Sequence, residues 1–209
     1  MRRILVIQTA FIGDVVLATA MLENLHAAYP SAKLDILVRQ GANELFTNHP
    51  YMNQVHVWDK KKNKYQHLFQ IIKTIRGIEY DVVINVQRYL ATGIITVLSG
   101  AKKTIGFDKN PLSFLFSEVV AHQFGAAAEA GGGAAEARAR GAEQNSNSAY
   151  LHETSRNHAL LASLTTAPVA KPALYPSAAN FAAVQKFQGA PYICMSPGSV
   201  WETKKMPAQ

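Results

Sequence analysis

The sequence predicts an α/β fold built on a parallel, doubly wound sheet, and three observations carry that prediction. Short apolar runs such as Ile4-Leu5-Val6-Ile7 and Val82-Val83-Ile84 are continuous instead of alternating, as in strands buried on both faces. Intervening stretches repeat apolar residues every three or four positions, the period of a helix lying on a sheet. The two patterns alternate with short links, so each helix serves as a crossover between parallel strands. In such sheets ligands sit outside the carboxyl ends of the strands, and that is where chemistry is sought.

Taken in order, residues 4–7 form the first strand. From Asp14 onward Val15, Val16, Ala18, Thr19, Leu22 and Leu25 make the stripe of a helix that Pro30 stops. Residues 34–38 read as a second strand leaving through Arg39-Gln40-Gly41. Residues 43–48 read as a short helix ended by His49-Pro50, and residues 55–58 as a third strand. The lysine run containing Lys60 and Lys61 reads as a solvated, anion-attracting loop. Residues 65–76 place Leu68, Phe69, Ile71, Ile72 and Ile75 on a helix closed by Gly77. Residues 81–86 are the clearest buried strand, with Gln87 and Arg88 at its carboxyl end, in the same layer as Asp14 if the strands are parallel. A helix over 90–98 that includes Gly93, a strand within 102–108 and a further strand at 118–120 complete the unit.

The totals narrow the class. Of 209 residues, 48% are hydrophobic and 17% charged, an ordinary globular composition, and the net charge of +7 calls for an acidic partner. No zinc finger, RNP aromatic box or long basic helix is present, so nucleic acid is not the expected partner. The single cysteine, Cys194, excludes an internal disulfide, suits a reducing compartment and is expected to pack in an apolar run. No stretch approaches the ~20 apolar residues of a membrane span. A cytoplasmic protein is expected, with peripheral contact to an anionic membrane surface through its basic face. His152 and His158 do not have metal-ligand spacing, and no D-x-D is present. No metal and no cofactor are expected, leaving Lys, Arg and backbone N–H groups to neutralise anionic groups.

The turn after the first strand has only Gly13 of the three glycines in a dinucleotide fingerprint, and Asp14 puts a carboxylate where a phosphate would sit. Both features argue against a nicotinamide-dependent dehydrogenase. Asp14 reads either as a first-turn helix cap or as a general base at the mouth of the sheet. The segment ILVIQTAFIGDVVLATAMLENL resembles the start of the ADP-heptose:lipopolysaccharide heptosyltransferases, glycosyltransferase family 9, and the similarity continues through I-N-x-Q and I-G-F segments to about Val120. The resemblance implies that Asp14 is the catalytic base. It also implies that the acceptor is an anionic lipopolysaccharide core. Gly13, Arg88, Lys60 and Lys61 are candidate acceptor contacts.

Residues 125–150 are rich in Ala, Gly, Glu and Arg, without large apolar residues until Tyr150, and are expected to add little to a core. Residues 152–161 resemble the family's linking helix, with Thr154 as its N-cap. Pro168, Pro172 and Pro176 mark a linker, and residues 192–195 read as a strand leading into PGSVWETKKMP. That segment resembles the family's donor-domain turn. It implies that Ser199 and Lys204 contact an ADP-heptose-like donor, Lys204 stabilising the departing diphosphate. Met206 stands where the family has an aromatic residue.

The expectation is therefore a GT-B type α/β protein. Residues 1–166 form a Rossmann-like N-terminal, acceptor-side domain, and residues 167–209 hold the linker and first unit of an incomplete second Rossmann-like, donor-binding domain. The implied activity is an inverting, metal-independent heptosyl transfer to a lipopolysaccharide inner-core acceptor, in a chain that reads as truncated and inactive alone. A non-catalytic α/β module that recognises an anionic glycan or nucleotide is the alternative.

Overall fold

A computed structural model describes residues 3–59, 64–123, 152–189, 191, 193 and 194. Six strands, β1 (Arg3–Ile7), β2 (Lys33–Arg39), β3 (Met52–Trp58), β4 (Val82–Asn85), β5 (Lys103–Phe107) and β6 (Glu118–Val120), form one sheet in the order β3-β2-β1-β4-β5-β6. Every neighbouring pair is parallel. This is the Rossmann order, and it fits the continuous apolar runs, since both faces of such a sheet are covered. The helices are α1 (Ile12–Ala28), α2 (Lys64–Arg76), α3 (Leu90–Leu98), α4 (Glu153–Ala159) and α5 (Ala178–Val184), with short 3-10 turns at Asn43–Phe46, Ser113–Leu115 and Gln185–Phe187.

Alternate side chains of each strand feed two cores. Ile4, Val6, Ile36, Val38, Val82 and Ile84 pack with Val15, Met21, Leu22 and Leu25 of α1 and with Leu160 and Leu161 just after α4. On the opposite face Leu5, Ile7, Leu37 and Val83 meet Ile71 and Ile75 of α2 and Ile95 of α3. The period-2 geometry of a strand does this sorting, and a one-residue slip would exchange the two sets.

The structure sharpens several sequence expectations. The first helix begins at Ile12, two residues before Asp14, and the third strand begins at Met52, where the polar residues Asn53 and Gln54 had hidden it. The expected helix at 43–48 is a 3-10 turn over Asn43–Phe46. Thr154 does not cap α4. His152 does, its Nδ1 accepting the Thr154 N–H at 3.3 Å, so an imidazole takes the place of the usual hydroxyl. Helix α5 follows Pro176 and is capped by Ser177, a start signal present in the sequence but masked by the prolines before it. Of the strand expected at 192–195, Ile193 and Cys194 are described. Both are exposed and neither pairs with the sheet, so Cys194 lacks the packing role its apolar neighbours suggested.

Compact units run from Met1 to Tyr175 and from Pro176 to Gln209. Within the first, residues 167–175 lie along α1 as a strap. Pro168 O accepts from Asn24 Nδ2 at 2.8 Å, Ala170 N–H donates to Asn24 Oδ1 at 3.0 Å, and Ala173 N–H donates to Thr19 Oγ1 at 3.0 Å. Tyr175 OH donates to Glu23 at 2.9 Å. Asn24 and Thr19 are buried, and these bonds satisfy polar groups that an apolar cover would have stranded.

Two glycines are fixed by close approach. A Cβ on Gly93 would collide with Asn110 Oδ1, which explains a glycine inside α3. A Cβ on Gly106, in β5, would stand 2.5 Å from the Phe116 ring. Gly106→Ala is expected to destabilise the protein by about 1–3 kcal/mol, the usual cost of overpacking. Urea unfolding should show the loss, and adding Phe116→Leu should recover part of it. Equal destabilisation in the presence and absence of Phe116 would refute the contact.

Candidate active site

The sheet order fixes where a ligand can bind. β1 and β4 are neighbours, paired from Ile4↔Val82 to Ile7↔Asn85, yet the chain leaves β1 toward β2 and leaves β4 toward β5. No crossover covers the point between them, and a crevice opens at their carboxyl ends, as expected at a topological switch point. Its volume is about 490 Å³. Gln8 and Thr9 come from the β1–α1 turn, Asp14 from the first turn of α1, Gln87, Arg88 and Tyr89 from the exit of β4, Arg39 and Trp58 from the ends of β2 and β3, and His122, Glu153 and Arg156 from the segments after β6.

The floor is polar and tightly held. The Gln87 side-chain amide donates to Gln8 Oε1, which also accepts the Ala10 N–H at 3.3 Å. Gln87 N–H donates to Asn85 Oδ1 at 2.8 Å, and Asn110 Nδ2 donates to Gln87 O and Tyr89 O at 3.0 and 3.1 Å. These bonds fix the backbone that presents Arg88. Trp58, 1% exposed, also lines the crevice.

Asp14 is the third helical residue of α1. Its Oδ2 accepts the N–H of Phe11, the N-cap residue, at 3.1 Å, while Oδ1 accepts no hydrogen bond among the described residues. One carboxylate oxygen thus caps the helix and orients the group, and the carboxylate also lines the crevice. Arg88 is exposed on the same crevice wall. Gly13 sits exposed on the first turn of α1 outside the lining, and a Cβ there would meet nothing within 4 Å. Lys60, Lys61, Ser199 and Lys204 lie outside the described residues.

Sequence reasoning did not single out Arg39, His122, Glu153 or Arg156. Arg39 ends β2, and the rule that selected Arg88 would have found it. It lies over the Phe11 ring, 5.1 Å from the centroid. Glu153 and Arg156 pair with each other on α4 and come to the crevice only through tertiary packing of α4 on α1. Burial and the neighbouring Arg88 pull the Arg156 guanidinium downward, and Asp14 pulls it back. Among the described residues no group of three His, Cys, Asp or Glu is placed to hold a metal, and no helix is long and apolar enough to cross a membrane.

His122 is held beside the crevice by its own N–H, which donates to Asp108 Oδ1 at 2.8 Å, and by edge contact with Phe107 at 4.7 Å. Burial, then Arg156 and Arg88, push its imidazole down to about 4. The ring is therefore neutral in the folded protein where the unfolded chain would begin to bind a proton. Between pH 6.5 and about 4 the unfolded state holds more protons, so stability falls as pH falls through this window. His49 and His56, also pushed down by burial, act in the same direction. Replacing His122 by Gln is expected to make the pH dependence of urea unfolding shallower over this range, and an unchanged slope would contradict the placement of His122 beside the two arginines.

No protein-family model matches the chain. In sequence it is 29% identical over 102 residues to lipopolysaccharide heptosyltransferase 3 of Escherichia coli, covering 47% of this chain and 30% of that protein. It is 32% identical over 77 residues to the protein of the same name from strain K12, covering 35% and 22%. In fold it is similar to E. coli ADP-heptose lps heptosyltransferase II, with a TM-score of 0.61 and 15% identity over 90% of this chain and 51% of that one. It is also similar to E. coli heptosyltransferase WaaC with ADP-2-deoxy-2-fluoro heptose, with a TM-score of 0.57 and 14% identity over 80% and 51%. The chain spans less than a third of the curated relatives and about half of these solved structures. The six-stranded parallel sheet is the Rossmann-like fold of the GT-B heptosyltransferases, and in sequence the chain is similar, over less than half its length, to lipopolysaccharide heptosyltransferases.

Proposed function

We propose that the crevice is the acceptor side of a glycosyltransferase that moves a heptose, or a related sugar, from an ADP-heptose-like donor to a lipopolysaccharide inner-core acceptor, with inversion and without a metal. The observation that carries the reading is the position of Asp14 at the switch-point crevice, facing Arg88 and Arg156, with one carboxylate oxygen held by Phe11 N–H. The similarity to heptosyltransferases supports the substrate class.

In this mechanism an acceptor hydroxyl approaches Asp14 Oδ1. Its oxygen forms a bond to the anomeric carbon from the face opposite the nucleotide, its proton passes to the carboxylate, and the carbon–oxygen bond to the diphosphate breaks, releasing ADP with that electron pair. The reaction centre is oxocarbenium-like at its peak. Arg39, Arg88 and Arg156 are suited to bind carboxylates or phosphates of the acceptor through paired N–H groups, with Lys60 and Lys61 as further contacts. Gly13, exposed on the first turn of α1, is a further candidate contact for the acceptor. On the donor side Ser199 would bind the nucleotide sugar and Lys204 would neutralise the leaving diphosphate. Residues 1–166 would then serve as the acceptor-side domain and residues 167–209 as the start of the donor-binding domain. The lipid-borne acceptor would bring the protein to the cytoplasmic face of the inner membrane.

A non-catalytic binding module remains a second reading, favoured by the cap that Asp14 makes to Phe11. Asp14→Asn separates the two, because an amide oxygen keeps the cap but cannot take the proton. In a protein that includes the donor half, this variant is expected to lose about 10²–10⁴-fold in kcat with little change in KM for the acceptor or in melting temperature. Near-normal turnover would leave Asp14 with the cap alone.

A further inference from the structure

The outer side of α2 has no role in the crevice, and its chemistry is specific. The inner side is occupied, with Ile71 and Ile75 buried in the core and Leu68 and Ile72 packed against it. Outside, Tyr65 is 80% and Phe69 70% exposed. At ~100° per residue, Tyr65, Phe69, Lys73 and Arg76 fall within an arc of about 80°. The helix reads KYQHLFQIIKTIR and contains no Asp or Glu. Single exposed apolar residues are ordinary on a surface. Two aromatic rings one turn apart, followed along the same stripe by two cations, form an amphipathic surface of the interfacial kind.

We propose that this stripe of α2 docks on an anionic phospholipid bilayer, the rings entering the headgroup layer and Lys73 and Arg76 meeting lipid phosphates. Charge complementarity selects this occupant. An acid-free helix on a chain of net charge +7 is drawn to a negative surface and repelled by a second copy of itself, whose matching stripe would oppose cation to cation.

The surface argument does not need the transferase reading, and its test uses neither donor nor acceptor. Vesicles of phosphatidylcholine containing 'about a third' phosphatidylglycerol are sedimented with the 209-residue chain and compared with pure phosphatidylcholine, at low and high salt. The chain is expected to bind the anionic vesicles and to be released by salt. The double variant Tyr65→Ser/Phe69→Ser should lower the partition coefficient at least tenfold at unchanged melting temperature, and Lys73→Glu/Arg76→Glu should do the same. A charge-matched control, Lys33→Glu/Lys171→Glu, alters exposed lysines of β2 and the strap and should leave most of the binding intact. Four results would overturn the proposal: no binding to anionic vesicles at low salt, full binding by the aromatic double variant, an equal loss in the control, or self-association of the chain that the aromatic variant abolishes.

Discussion

The pairing of β1 with β4 is the constraint on which the rest of the molecule depends. It sets side by side two strands whose chains then depart in opposite directions, so the sheet is closed everywhere except above their ends. The ladder continues past the strands, Val86 N–H donating to Ile7 O at 3.1 Å, while on the other side of β1 Gln8 N–H donates to Leu37 O of β2 at 3.0 Å. The Gln87–Gln8 side-chain bond spans the gap just above it. Asp14 and Arg88 face one crevice because these two strands hold one register. Were that register to slip, the two apolar faces would exchange and the acid and the arginine would part.

Deeper in the sheet the fold accepts a buried carboxylate and satisfies it fully. Asp35 is completely buried in β2 and receives Arg3 Nε at 2.9 Å, Tyr80 OH at 2.6 Å and Asn53 Nδ2 at 2.6 Å, and Tyr80 OH is joined to His56 at 2.9 Å. These partners come from β1, β3 and the turn before β4. Asn53 is also the residue skipped where the β2–β3 register shifts, so the irregularity delivers an amide to the acid. An unpaired carboxylate in this position would cost several kcal/mol, which makes the network a set of mutual obligations among strands instead of a source of net stability.

Much of the fold was legible because it rests on local pattern. The continuous apolar runs gave the strands at Ile4 and Val82, and the helical stripes gave α1 and α2. What escaped depended on contacts distant in sequence. Nothing local accounts for Asn24 in α1 until the strap supplies Pro168 and Ala170, or for Gly93 in α3 until Asn110 occupies the space of its missing side chain. The crevice divided the same way. Asp14 and Arg88 stand beside strand ends that the sequence marks, whereas Glu153 and Arg156 reach it from beyond a compositionally biased stretch that carries no positional signal. The resemblance to heptosyltransferases drew attention to Asp14, and the fold brings Arg39, Arg88 and Arg156 to the same crevice.

The strap along α1 has no regular structure of its own, yet it is tied to one register. Its bonds meet Asn24, then Thr19, then return to Glu23. Sliding the segment by a single residue would leave the amide of Asn24 without its carbonyl and its N–H at a buried position. Side chains of α1 thus do for an irregular stretch what a neighbouring strand does for an edge, fixing its place through hydrogen bonds instead of apolar packing.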